Sequence, residues 1–150
     1  MPQSLANVLV HVVFSTKNRS PFIAPDSEDE LYRYLATAFR TCQCPAHKVG
    51  GTADHVHIVC SLARTVSIAD LLAAAKADSS KWIKTKGPRY ADFAWQAGYG
   101  AFSIGQSQLG RVSEYIAAQG EHHRARTFQD EFRGLLKRYE IEYDERYVWD

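Results

Sequence analysis

Two stretches of this sequence carry side chains whose types and spacing could do chemistry. The first is Asp54-His55-Val56-His57-Ile58-Val59. Successive side chains on a strand point to opposite faces, so His55 and His57 share one face while Val56 and Ile58 share the other. Two imidazoles on one side of a rigid strand can each offer a nitrogen to the same metal ion. They can equally be two surface or hydrogen-bonded histidines at a sheet edge, and spacing alone does not choose.

The second stretch runs from Val112 through Tyr115-Ile116-Ala117-Ala118-Gln119 to His122-His123. Tyr115 and Gln119 are four apart, so on a helix they lie one turn apart on a common face. Gln119 could give a neutral carbonyl oxygen to a metal while Tyr115 presents its hydroxyl beside it. Two imidazoles and one amide oxygen would leave positions open for substrate oxygens, as a Lewis-acid metal requires. An oxygen donor in the set tilts the ion towards magnesium or manganese, although imidazole also suits zinc. The plain alternative makes Tyr115 and Ile116 core positions of an amphipathic helix and Gln119 a solvated one. His122-His123 could cap that helix at its negative end or touch phosphates.

These groups need a scaffold, and the apolar pattern supplies one. Residues 8–15 are β-branched and aromatic and read as a buried first strand. Ser27 followed by Glu30 has the spacing of a capping box, and Leu31, Tyr34, Leu35, Ala38, Phe39 and Cys42 then recur at helical spacing. Ala46–Val49 reads as a short strand and His55–Leu62 as a third. Ser67 can cap a second helix through Ile83. A Gly87-Pro88 break and an aromatic loop (Phe93, Trp95, Tyr99) lead to a fourth strand near Tyr99–Gly105. One helix is expected from Gln108 to about His123, and another on Phe128, Phe132, Leu135, Leu136 and Tyr139. The order β-α-β-β-α-β is that of the ferredoxin-like split-βαβ fold, an α+β class with an antiparallel sheet, here with additional C-terminal helices.

Composition sets bounds on this reading. The 150 residues, 45% of them hydrophobic, suit one domain spanning 1–150. Eighteen Lys and Arg against 17 Asp and Glu exclude a broadly basic nucleic-acid coat, but not a local basic groove. Lys17, Arg19, Lys81, Lys84 and Lys86 cluster at element ends, where phosphates could be held, although Lys81 and Lys84 also fit a solvated helix face. Tyr90, Phe93 and Trp95 could stack on unpaired bases or pack a loop on the core. Cys42, Cys44 and Cys60 fit neither a disulfide framework nor a four-ligand zinc site. With no apolar run near the ~20 residues of a membrane helix and no secretory leader pattern, a cytoplasmic protein with no membrane partner is expected.

Taken together, these stretches resemble the HUH single-tyrosine transposases, the small enzymes of hairpin-ended insertion sequences and their REP-associated relatives. His11-Val12-Val13-Phe14-Ser15-Thr16-Lys17-Asn18-Arg19 is similar to the family's opening strand, and His55-Val56-His57 to its His-hydrophobe-His signature. Tyr99-Gly100-Ala101-Phe102-Ser103 resembles the strand before the catalytic helix, Tyr115 to Gln119 with His122-His123 the nucleophile helix, and Tyr143-Asp144-Glu145-Arg146-Tyr147 the usual tail. The resemblance implies Tyr115 as nucleophile and His55, His57 and Gln119 as ligands of Mg2+ or Mn2+. It implies cleavage and rejoining of single-stranded DNA through a 5′-phosphotyrosine, with DNA hairpins recognised. It also implies a homodimer in which one subunit's tyrosine helix completes the other's metal site.

Other readings lead elsewhere. A non-catalytic RNA- or DNA-binding module of this fold would present sheet aromatics and basic residues to a single strand, but strand one carries only Phe14 and strand three two histidines. The same chemistry also serves replication nicking, in proteins that are usually larger. A host-adapted relative that processes repeated hairpins would have the same sequence features as a mobile enzyme.

Overall fold

A computed structural model describes residues 2–150. Its elements follow the order β1 (Leu9–Ser15), α1 (Glu28–Thr41), β2 (Ala46–Gly51), β3 (His55–Ser61), α2 (Ile68–Ile83), β4 (Gly100–Ile104), α3 (Leu109–Ala117), α4 (Gln119–Ala125) and α5 (Phe128–Arg138). The four strands form one antiparallel sheet in the order β2-β3-β1-β4. This is the split-βαβ arrangement with extra C-terminal helices.

Every residue of β1 is buried, because helices cover both faces of the sheet. Val10, Val12 and Phe14 join Val56, Ile58 and Cys60 on the face packed by Leu31, Leu35 and Phe39 of α1 and Leu71, Leu72 and Ala75 of α2. The opposite face carries Val13 and Phe102, covered by Phe128, Phe132, Leu135 and Leu136 of α5. In the register between β1 and β3, Val13 lies opposite His57 and Ser15 opposite His55. Strand alternation therefore puts His11, His55 and His57 on the α3–α5 side of the sheet.

Two local expectations are corrected, and one open pair of alternatives is decided. Ser27 is the N-cap of α1 but sits in helical geometry and makes no capping hydrogen bond. Its hydroxyl is engaged instead by Asp26 and by Arg89 Nη2, so no capping box forms with Glu30. The helix expected from Gln108 to about His123 is interrupted at Ala118 (φ −95°, ψ 17°), which separates α3 from α4. The loop aromatics Tyr90, Phe93 and Trp95 are core residues, with Trp95 Nε1 donating to Ser79 Oγ at 2.9 Å, and are not free to stack on bases. Ser67 does cap α2, accepting from Asp70 N at 3.0 Å.

Candidate active site

The histidine pair is buried beneath α3–α5, not displayed at a sheet edge. Both rings have no exposed surface. Each is gripped on its Nδ1 side and turns Nε2 towards the same place. His55 Nδ1 lies 2.7 Å from Asp54 Oδ1 and 3.0 Å from Thr52 Oγ1. His57 Nδ1 is hydrogen-bonded to His11 Nε2 at 2.8 Å. Outer partners of this kind fix the ring and its tautomer for whatever Nε2 binds.

Two residues of the C-terminal helices meet those nitrogens, and three more gather around them. Gln119 Oε1 lies 2.9 Å from His55 Nε2, and Glu131 Oε1 lies 2.9 Å from His57 Nε2 and 3.7 Å from His55 Nε2. Gln119 Nε2 donates to Glu131 Oε2 at 3.1 Å. The Tyr115 hydroxyl donates to the same oxygen. His123 Nε2 approaches Glu131 Oε1 at 3.2 Å, and its ring packs on His55. His122 stacks on the Tyr115 ring at 4.6 Å between centroids. The two histidines after Gln119 therefore belong to the site and are more than a helix cap.

Local sequence explains how these side chains arrive. The break at Ala118 ends the tyrosine-bearing helix, and Gln119, the first residue of α4, is buried against His55. On the other side, Thr127 caps α5 by accepting from Asp130 N at 3.2 Å, which puts Glu131 in the first turn of that helix. A carboxylate there sits at the positive end of the dipole. Helix α3 reaches the sheet because residue 50 of β2 is glycine: a Cβ on Gly50 would lie 2.6 Å from the Ile116 carbonyl oxygen.

Electrostatics follow from burial and pairing. Burial alone would raise the Glu131 carboxyl, but hydrogen bonds from His123, His57 and Tyr115 hold it well below the usual carboxylate range. Burial lowers His57 in spite of Glu131, and burial with the neighbouring His57 lowers His11 to about 3. The Tyr115 phenol is pushed far up by burial and by the Glu131 carboxylate, with the Arg126 charge opposing. Tyr115 is thus a protonated phenol at neutral pH, with its proton directed at Glu131.

The donor set fits a metal ion. His55 Nε2, His57 Nε2 and a Glu131 oxygen lie within 4.8 Å of one another. A second feature of the geometry is sharper. With Asp54 accepting from His55 Nδ1, the Nε2 lone pair faces Gln119 Oε1, whose amide is oriented by the donation of Nε2 to Glu131. Two lone pairs facing each other need a cation between them, a proton or a metal. Sequence reasoning named His55, His57, Gln119 and Tyr115, and the structure brings all four together. It did not assign a role to Glu131 or His11.

The basic residues named from sequence lie elsewhere. Lys81, Lys84 and Lys86 belong to the end of α2 and the turn after it, in the layer on the opposite face of the sheet, and Lys86 already pairs with Glu30 at 2.8 Å. Lys17 and Arg19 follow β1, where the Arg19 guanidinium lies over the Trp149 ring.

Comparison with known proteins gives this geometry a family. Residues 4–119 match the family of IS200-like transposases, a span containing His55, His57, Tyr115 and Gln119. The chain belongs to that family. It is a transposase of the single-tyrosine HUH type. Two solved structures share the fold. One is a proposed transposase from Deinococcus radiodurans R1, 18% identical, covering 79% of this chain and 98% of that one, with a TM-score of 0.61. The other is a REP-associated tyrosine transposase bound to a REP hairpin, 11% identical, covering 82% of this chain and 72% of that one, with a TM-score of 0.60. No curated protein sequence matches the chain. Among the described residues of this transposase, no helix is long and apolar enough to cross a membrane. Glu131 and His123, which meet the tyrosine and the histidines in this transposase, lie beyond the matched span.

Proposed function

We propose that this transposase cuts and rejoins single-stranded DNA at hairpin-bearing ends, with Tyr115 as nucleophile and a divalent metal, Mg2+ or Mn2+, held by His55, His57 and Glu131 with Gln119 beside them. The observation that carries the reading is the joint grip of Glu131: one oxygen faces both histidines and the other accepts from Tyr115. When bound, the metal supplies a Lewis acid that polarises a phosphoryl oxygen.

The chain's own residues handle the rest. His11 and Asp54 lock the two imidazoles with Nε2 facing the phenol's neighbourhood. Glu131 Oε2 takes the phenolic proton as Tyr115 Oη attacks phosphorus. An Oη–P bond forms, the P–O3′ bond breaks, and the departing 3′ oxygen takes a proton from water to become a hydroxyl. The phosphotyrosine retains the energy of the broken linkage, so another 3′ hydroxyl can reseal the strand without a nucleotide cofactor. Hairpin recognition is proposed from the fold shared with the REP-associated enzyme, whose structure holds a REP hairpin.

Gln119 and Glu131 reach the histidines of this chain, and Tyr115 reaches them through Glu131. The family resemblance implies a homodimer in which the same groups come from a partner's tyrosine helix. A single-strand binding module is disfavoured by the same packing, because helices cover both faces of the sheet.

The test uses labelled single strands from both flanks of the gene, hairpins included, with manganese or with chelator. Metal-dependent cleavage is expected, and hairpin binding without cleavage under any condition would count against the nuclease. Mixing Tyr115→Phe with His57→Ala separates the assemblies: exchanged dimers recover activity, whereas sites built in cis recover none.

A further inference from the structure

A cavity of about 300 Å³ opens next to Tyr115 and Glu131, and three arginines line it. Arg111 precedes Tyr115 by four residues on α3, so the two share a helix side. Arg138 lies one turn beyond Gly134 on α5. Arg126 stands just before the Thr127 cap in extended backbone, and its Nη2 donates to the Asp130 carbonyl at 3.1 Å. Its guanidinium rests against α5 where that helix has no side chain: a Cβ on Gly134 would come within 2.7 Å of Nη2. Glycine inside a helix is otherwise unfavourable, so Gly134 has a local use here in making room for a cation beside the phenol.

The charge in this cavity is left over. Among the described residues none of the three arginines has a carboxylate within salt-bridge distance, while Arg133 on the same helix has two. The carboxylate bordering the cavity is Glu131, and it already accepts from His57, His123 and Tyr115. Leu135 and Tyr139 supply an apolar wall alongside. Three cations over an apolar wall, opening onto a nucleophilic hydroxyl, match the alternating phosphates and sugars of a nucleic-acid backbone.

We propose that Arg111, Arg126 and Arg138 form a phosphate subsite that holds the single-stranded DNA backbone adjoining the bond Tyr115 attacks. The subsite deepens the nuclease reading and rests on it for the identity of the substrate. It moves the main backbone contact from the lysines of the α2 end, on the far face of the sheet, to the α3–α5 side.

The test is the salt dependence of binding to fluorescein-labelled oligothymidylate, which carries phosphates but no hairpin. For a single strand, each phosphate that the protein ceases to neutralise lowers the slope of log affinity against log salt by about 0.7. The Arg111→Gln/Arg126→Gln/Arg138→Gln protein is therefore expected to show a slope smaller by about 2. Arg126→Gln alone should show a third of that change, with an unchanged melting temperature because the side chain is exposed. Lys81→Gln/Lys84→Gln should keep the wild-type slope. An unchanged slope in the triple variant, or a reduced one in the lysine variant instead, overturns the subsite. Arginine-dependent binding without any metal-dependent covalent product would leave the subsite standing and overturn the nuclease.

Discussion

The Tyr115 hydroxyl donates to Glu131 Oε2, and the other oxygen of that carboxylate lies 2.9 Å from His57 Nε2. One buried side chain from α5 therefore joins Tyr115 of α3 to the histidine strand at the centre of the sheet.

That link governs the phenol. Glu131→Gln keeps size and burial but removes the negative charge, so Tyr115 should ionise at a lower pH, closer to the ordinary value near ~10. Carbon-13 NMR of labelled tyrosine, in chelator, would read it. A Tyr115 titration that stays put or moves higher would show that Glu131 is not the group holding the phenol's proton.

His11 acts one step further out. It touches neither Tyr115's hydroxyl nor Glu131 by hydrogen bond, yet it fixes His57 from behind at 2.8 Å. His11→Phe should fold and should weaken manganese binding by about 10–100-fold, the usual cost of losing an outer partner. Calorimetric titration measures this. Wild-type affinity in a folded variant would make His11 a packing residue only.

Acid should loosen the metal-free protein earlier than carboxylates alone would. His11 stays neutral in the fold down to about 3, whereas the unfolded chain's histidine takes a proton near ~6.5. Between those values the unfolded state binds more protons, so stability is full above about pH 6.5 and falls as pH drops towards about 3. The lowered His57 acts with the same sign, and the depressed Glu131 carboxyl adds to the loss at lower pH. Urea unfolding in chelator across this range checks it, with His11→Phe flattening the curve. Stability that holds level from neutral pH down to the carboxylate range would contradict the assignment.

Gly50 sets how closely the tyrosine helix approaches. Alanine there meets the Ile116 carbonyl oxygen at 2.6 Å, so α3 must lift. A loss of about 1–3 kcal/mol in stability is expected from such overpacking. Cleavage should fall more than DNA binding does, because Tyr115 moves with Ile116. Equal losses in both would mean that the close approach serves folding alone.

Much of this was readable from residue order, for identifiable reasons. Strand alternation already placed His55 and His57 on one side, whereas Gln119 and Tyr115 meet across the break at Ala118 through Glu131 and not by the helical step that the spacing suggested. Glu131 is harder to read, because an acid that follows Asp130 and sits among Phe128, Phe132 and Leu135 looks like the solvated edge of an amphipathic stripe. Its burial is decided by α5 folding back over the sheet, a long-range event. A signal existed all the same: an acid bordered by apolar residues at helical spacing needs a buried partner. His11 offered a similar one, as the one polar residue within the run from Val8 to Phe14. The break at Ala118 was masked because alanine favours a continuous helix, and Gly120 was the one local sign of it. The arginine cavity was hidden because Arg111, Arg126 and Arg138 are far apart in the chain and no run of charge marks them.

Tyrosine chemistry is tested by incubating the wild-type protein and Tyr115→Phe with labelled flank strands and manganese, then mapping any covalent protein–DNA product by mass spectrometry. A metal-dependent adduct on Tyr115 is expected in the wild type, and none in Tyr115→Phe, which should still bind the hairpin. An adduct that persists in Tyr115→Phe, or one that maps to another residue, would show that Tyr115 is not the nucleophile.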